Sequence, residues 1–199
     1  MRSKTALRSS PLRLVTSFEV IVQSLSGAFT EPTFRNLMVI MAGWVFASRR
    51  TVTAMLVASG AHRTQGARHF STYHRLFSCA RWSLDRLGLM MLSLIERWVG
   101  ESTSILLTLD DTLSRKRGTK MFGTGMHHDP LASSKKMAVM SWGHSWVVLC
   151  VAVRLPFAPG RWFSLPILFR LYLNKKSAAR HRLQYRSRPE LAVELLKVA

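Results

Sequence analysis

The spacing of apolar residues changes once, near residue 100, and that change constrains the fold more than any other feature of the chain. Before it, apolar side chains recur every three or four residues, as on one face of a helix. Phe18, Ile21, Val22 and Leu25 form a first stripe, with Gly27 as a stop. Thr30-Glu31-Pro32 reads as a second start, a capping hydroxyl followed by Pro in the first turn. Phe34, Leu37, Met38, Met41, Val45 and Phe46 carry that helix to Ser48. Val52 to Ala58, closed by Gly60, and Leu84 to Val99, closed by Gly100, are further helices. Beyond residue 100, apolar runs bounded by Gly and Pro take over: Ser104 to Leu109, Ala138 to Val153, and Trp162 to Leu173 with Pro166 inside it. Runs of this kind read as strands. Ser187-Arg188-Pro189-Glu190 then starts one more helix, with Leu191, Leu195 and Val198 as its stripe. The expected class is α+β: a basic arm over 1–16, an all-α region over 17–100, and an α/β region over 101–199. The last stripe still runs at Ala199 and the strands lack crossover partners, which reads as an unfinished domain with exposed apolar edges.

Where the first strand closes, the sequence places Asp110-Asp111-Thr112, followed by a basic, glycine-containing turn. The chain has four aspartates, Asp85, Asp110, Asp111 and Asp129, and spends two of them here. Carboxylates at a strand end beside Lys and Arg suit a divalent metal held against a phosphodiester. Asp and Thr also cap turns, so the triplet taken alone reads more readily as a strand-end turn. The charge bears on this choice. Lys and Arg number 29 against 10 Asp and Glu, a net +19, which points to polyanionic partners. Eleven Lys or Arg and no acidic residue lie between Asp129 and Glu190. A solvated surface normally mixes signs, so this stretch reads as facing phosphates, with a membrane surface as the competing explanation.

Other features are weaker. Helix, break and helix with Arg49-Arg50 at the joint is the outline of a helix-turn-helix, and equally of any helical hairpin. The next segment interleaves Arg63, Arg68 and several histidines with Phe70, Tyr73, Phe77 and Trp82. That mixture can contact phosphates and stack on bases, although aromatics at this spacing more often face a core. His127-His128-Asp129 could be proposed as metal ligands, but a polar surface turn before Pro130 is the simpler expectation, and His144 reads as a core histidine. Cys79 and Cys150 have no partner spacing, which fits a reduced, cytoplasmic protein. Neither long apolar run reaches the roughly 18–20 clean residues of a membrane helix, so no membrane partner is expected.

The run LTLDDTLSRKRGTKMFGTGMHHDP, followed by SWGHSWVVLCVAVRLPF, resembles the first half of the catalytic domain in DDE-type insertion-sequence transposases. RRTVTAMLVASG and HFSTYHRLFSCARWSLDRLG resemble the helical DNA-binding region of the same family. The resemblance runs from about Phe18 to the last residue. It implies an all-α DNA-binding region ahead of a ribonuclease-H-like α/β domain, here incomplete. It also implies cutting and joining of DNA phosphodiesters with Mg²⁺ or Mn²⁺ held by three carboxylates, the first on the first strand. Asp110 matches that position and is the implied metal ligand, with Asp111 the alternative catalytic carboxylate. No Asp follows Asp129, and Glu190 and Glu194 do not match the family's glutamate. The resemblance therefore implies a fragment that is inactive alone and binds no metal by itself. DNA binding is assigned to Arg49, Arg50, Arg63, Arg68, Lys116, Arg117, Lys120, Lys135 and Lys136 on charge and position. The implied partners are DNA at transposon ends and another copy or a full-length transposase. A non-catalytic DNA-binding protein that regulates transposition is the alternative function.

Overall fold

The structure is a computed structural model that describes residues 16–64, 66–99, 105–118, 120–155 and 158–199. The basic arm before Thr16, Gly100 as a helix stop and Ser104 as a strand start lie outside the described residues. Two compact units divide between Ser83 and Leu84. The helix of residues 84–99, expected to close the all-α region, belongs by its packing to the sheet unit.

The first unit contains α1 (Thr16–Gln23), α2 (Glu31–Phe46), α3 (Val52–Ser59) and α4 (Phe70–Ser78). Its core joins Ile40 and Ala47 of the α2 segment, Met55 and Leu56 of α3, and Tyr73 and Leu76 of α4. Helices α2 and α3 cross at Gly43, where a Cβ would sit 1.9 Å from the Met55 carbonyl oxygen, so only glycine permits the approach. Thr51 caps α3, its hydroxyl accepting from the Ala54 N–H at 3.3 Å, and Gly60 ends it with φ +72°. Thr30 occupies the cap position of α2, but its hydroxyl bonds Thr33 instead of the helix backbone. Among the aromatics, Tyr73 is buried and Trp82 half-buried, its indole N–H donating to the Leu76 carbonyl at 3.1 Å. Phe70 and Phe77 face outward instead of toward a core.

The second unit begins with α5 (Leu84–Val99) and builds an antiparallel sheet from β1 (Leu106–Arg115), β2 (Gly125–His128), β3 (Met140–Leu155) and β4 (Ala158–Tyr172). Helices α6 (Lys175–Arg180) and α7 (Arg188–Val198) follow. Central β3 pairs with β1 along one edge, from Arg115↔Gly143 to Leu106↔Ala152. Its other edge takes β2 and then β4. Residues directly opposite in antiparallel strands share a face. Val147, Leu149, Val151 and Val153 therefore form one face, and they pack with Ile95 of α5 and Leu191 and Leu195 of α7. Pro166 is tolerated because β4 pairs only with β3 and its register shifts beside Cys150, where Pro166 stands. Ser187 and Glu190 form a reciprocal capping box at the start of α7.

Arg170 fastens the helices to the sheet. It stands on the helix-covered face opposite Val147 and bonds both Asp85 oxygens at 2.7 and 2.8 Å and Glu194 at 2.7 Å. A largely buried cation among apolar neighbours is accommodated because α5 and α7 each supply a carboxylate. By contrast, β1 has one paired edge among the described residues, and Leu106, Leu107 and Leu109 are exposed.

Candidate active site

Asp110 and Asp111 lie in the middle of β1, not at a strand end as expected, because β1 continues to Arg115 in unbroken register with β3. Aspartate is a poor strand former, but pairing with Val147 and Val148 overrides its propensity. Alternation then separates the two carboxylates. Asp111, opposite Val147, is on the helix-covered face, where its Oδ2 is 3.1 Å from Arg188 Nε at the start of α7. Arg188 also donates to Ser145 Oγ at 3.2 Å and lies 4.2 Å from the Tyr172 ring centre. Asp111 is thus compensated by a cation that is itself held in place.

Asp110, opposite Val148, is on the uncovered face and has no ion-pair partner among the described residues. It accepts the Asp111 N–H at 2.8 Å. It lines a groove of about 800 Å³ with Thr108 and Thr112 of β1, Trp146, Val148 and Cys150 of β3, and Pro166 and Phe169 of β4. The groove is apolar apart from this carboxylate, a few hydroxyls and the Cys150 thiol. The described residues contain no group of three His, Cys, Asp or Glu positioned to hold a metal. Two ions roughly 3.5–4 Å apart need several carboxylates, and among the described residues Asp110 is the one carboxylate lining the groove. The donor set here does not fit a two-metal centre.

Asp129, expected in a polar surface turn, is instead buried, with 1% exposure. Its Oδ2 accepts from Arg115 Nε at 2.6 Å and its Oδ1 from the Ala132 N–H at 3.2 Å. These bonds, foremost that of Arg115, together with Ser141, hold its carboxyl well below the usual carboxylate range. The signal available in sequence was Asp followed by Pro, an Asx-turn start. His127 is buried and edge-on to Tyr172, whereas His128 is exposed and bonded to Ser133 Oγ at 3.1 Å, so the two histidines diverge. Burial, then Arg188 and His144, push the His127 pKa down. His144 is half-buried and bonds the Phe122 carbonyl at 2.8 Å.

A depressed Asp129 pKa means that this group stabilises the fold above its unfolded value, about 3.9, and loses that contribution as pH falls toward the folded value. The unfolding midpoint in urea should drop between about pH 5 and pH 2. Asp129→Asn should be less stable at pH 7 and flatter with pH; an unchanged profile would show that Asp129 does not organise this end of the sheet.

The cations fall into distinct settings. Lys116 and Arg117 follow β1, and Lys120 lies in the loop before β2; all three are exposed. The Lys116 N–H bonds the Trp142 carbonyl at 2.9 Å, and Trp142 Nε1 donates to the Gly118 carbonyl at 2.9 Å, which holds this loop against the base of the β2–β3 hairpin. Lys135 and Lys136 form the hairpin's tip, and the Arg115–Asp129 bond ties the end of β1 to it. No acidic residue other than buried Asp129 occurs between Asp111 and Glu190, so this stretch offers phosphates no exposed carboxylate. In the helical unit, Arg49 is exposed. Arg50 bonds the Ala47 carbonyl and covers Trp44 at 5.2 Å. Arg63 donates to His62 at 3.2 Å, and Arg68 to buried Asn36 at 3.0 Å. Arg50 and Arg68 therefore already have structural partners. No helix among the described residues is long and apolar enough to cross a membrane.

No curated protein and no solved structure matches the chain. The family model described as DDE superfamily endonuclease matches residues 24–198, through both units and including Asp110 and Asp111. An antiparallel sheet with helices on one face and an unpaired strand carboxylate on the other agrees with that match, and the chain belongs to the DDE superfamily endonucleases.

Proposed function

We propose that the chain is the DNA-engaging part of an insertion-sequence transposase, and that residues 1–199 alone bind DNA without cutting it. The observation that carries this reading is the contrast between Asp110 and its surroundings. Among the described residues it is the one carboxylate lining the groove and has no cation partner, and it belongs to the unit whose stretch between Asp111 and Glu190 is basic with Asp129 as its sole acid. On this reading the β1–β3–β4 sheet is the beginning of a ribonuclease-H-like domain, Asp110 is the first of its metal-binding carboxylates, and Mg²⁺ or Mn²⁺ is held only when further carboxylates join it. Asp111 serves the fold through Arg188. Lys116, Arg117, Lys120, Lys135 and Lys136 contact the DNA backbone, and the helical unit with Arg49 and Arg63 contributes to recognition of the element's ends.

A second reading rests on the same missing donors: the chain occupies transposon ends and regulates transposition without catalysing it. Both readings require preference for end sequence over random DNA. The test is competition binding between the terminal inverted repeats of the element that encodes the chain and shuffled duplexes of equal composition, at moderate salt. Specific sites typically outcompete non-specific ones by about 10³-fold or more. Equal competition by both duplexes would remove end recognition from the account.

A further inference from the structure

Resting on the reading that the chain engages DNA, we propose that the β2–β3 hairpin tip is a wedge. Leu131 and Met137 enter the minor groove of a duplex and part a base step, while Lys135 and Lys136 hold the flanking phosphates.

The tip is built, not loose. The Asp129 carboxylate accepts the Ala132 N–H at 3.2 Å. Ser133 Oγ donates to the Asp129 carbonyl at 2.7 Å and accepts the Val139 N–H at 2.8 Å, closing the neck of the loop. Ser134 and Met137 then exchange backbone bonds at 2.9 and 3.2 Å around Lys135-Lys136. Arg115 anchors the assembly to β1 through Asp129.

On this ordered frame Leu131 is 93% exposed and Met137 64% exposed. Holding large apolar side chains in water on a fixed loop forgoes the free energy of their burial, and a partner that covers them recovers it. The neighbouring lysines select among partners. Lysine is depleted in protein–protein interfaces, whereas Leu and Met beside cations is the composition of side chains that wedge between base steps. The tip's own stretch, between Asp111 and Glu190, contributes no exposed carboxylate to repel a phosphate.

The experiment uses the full chain and a linear duplex of about 30 base pairs with central TA steps, which kink most readily. One adenine is replaced by 2-aminopurine, which brightens on unstacking, and anisotropy of an end label reports binding separately. Wild type should bind and brighten the probe. Leu131→Ser, and L131S/M137S, should lose the brightening at saturating protein, while Val193→Ser, an exposed apolar change on α7, should keep it. Thermal melting checks the fold of each variant, and the single Leu131 change removes no packing. Binding without brightening, or brightening that survives both hairpin variants, overturns the wedge and leaves DNA binding intact. No anisotropy change with wild type overturns the DNA reading and the wedge with it.

Discussion

Affinity of the chain for duplex DNA should fall by about three orders of magnitude between roughly 50 and 200 mM salt. The expectation follows from the candidate DNA-binding cations that keep no carboxylate partner. Lys116, Arg117, Lys120, Lys135 and Lys136 are exposed without a carboxylate partner among the described residues, as is Arg49. Five or six phosphate contacts give a log–log slope of about −5, since each contact contributes about −0.9. Lys135→Ala with Lys136→Ala should reduce the slope by about two. Arg50→Ala and Arg68→Ala should change it little, because those side chains already serve Ala47, Trp44 and Asn36. A shallow slope for wild type would mean that the net charge of +19 is ordinary solvated surface.

Leu149→Ala should destabilise the sheet unit by about 3–5 kcal/mol, whereas Leu106→Ala should cost less than about 1 kcal/mol. Both replace the same side chain in a strand, so the difference isolates position in the sheet. Leu149 is fully buried at the centre of β3, where the helix-covered face meets α5 and α7. Its truncation leaves a cavity that neighbours held on three elements cannot collapse into. Leu106 stands near the start of edge strand β1 with 53% exposure, and its loss removes little contact. Chemical unfolding followed by circular dichroism measures both. Equal penalties would show that β1 is as enclosed as β3, and the open groove beside Asp110 would then be in doubt.

The helices most legible in the sequence were those with a local start or stop signal, whereas α6 (Lys175–Arg180) carried no apolar stripe to announce it. Ser187 with Glu190, Gly60 after α3, and Pro32 in the first turn of α2 all stand where local chemistry put them. Strands β3 and β4 followed from the apolar runs Ala138 to Val153, rich in Val, and Trp162 to Leu173, although β4 begins earlier, at Ala158. Local pattern failed where pairing decided the outcome. The apolar run ended at Leu109, but hydrogen bonds to β3 carry β1 through both aspartates to Arg115. Their division between an open and a covered face followed from alternation, yet which face was covered depended on α7, some eighty residues away. Asp129 was misread because its partner Arg115 is an unremarkable basic residue until the hairpin folds back on it. The helix over 84–99 looked like a continuation of the helical region, and only Asp85 meeting Arg170 reveals its place on the sheet.

On the function proposed above, Asp110 is one corner of a nuclease centre that the described carboxylates do not complete. Incubating the purified chain with supercoiled plasmid and Mg²⁺ or Mn²⁺, beside Asp110→Asn, tests it most directly. Wild type and Asp110→Asn should give the same background of nicked circles, with or without metal. Metal-dependent nicking by wild type that vanishes in Asp110→Asn would contradict it, because the chain would then hold a working centre that its described carboxylates do not form.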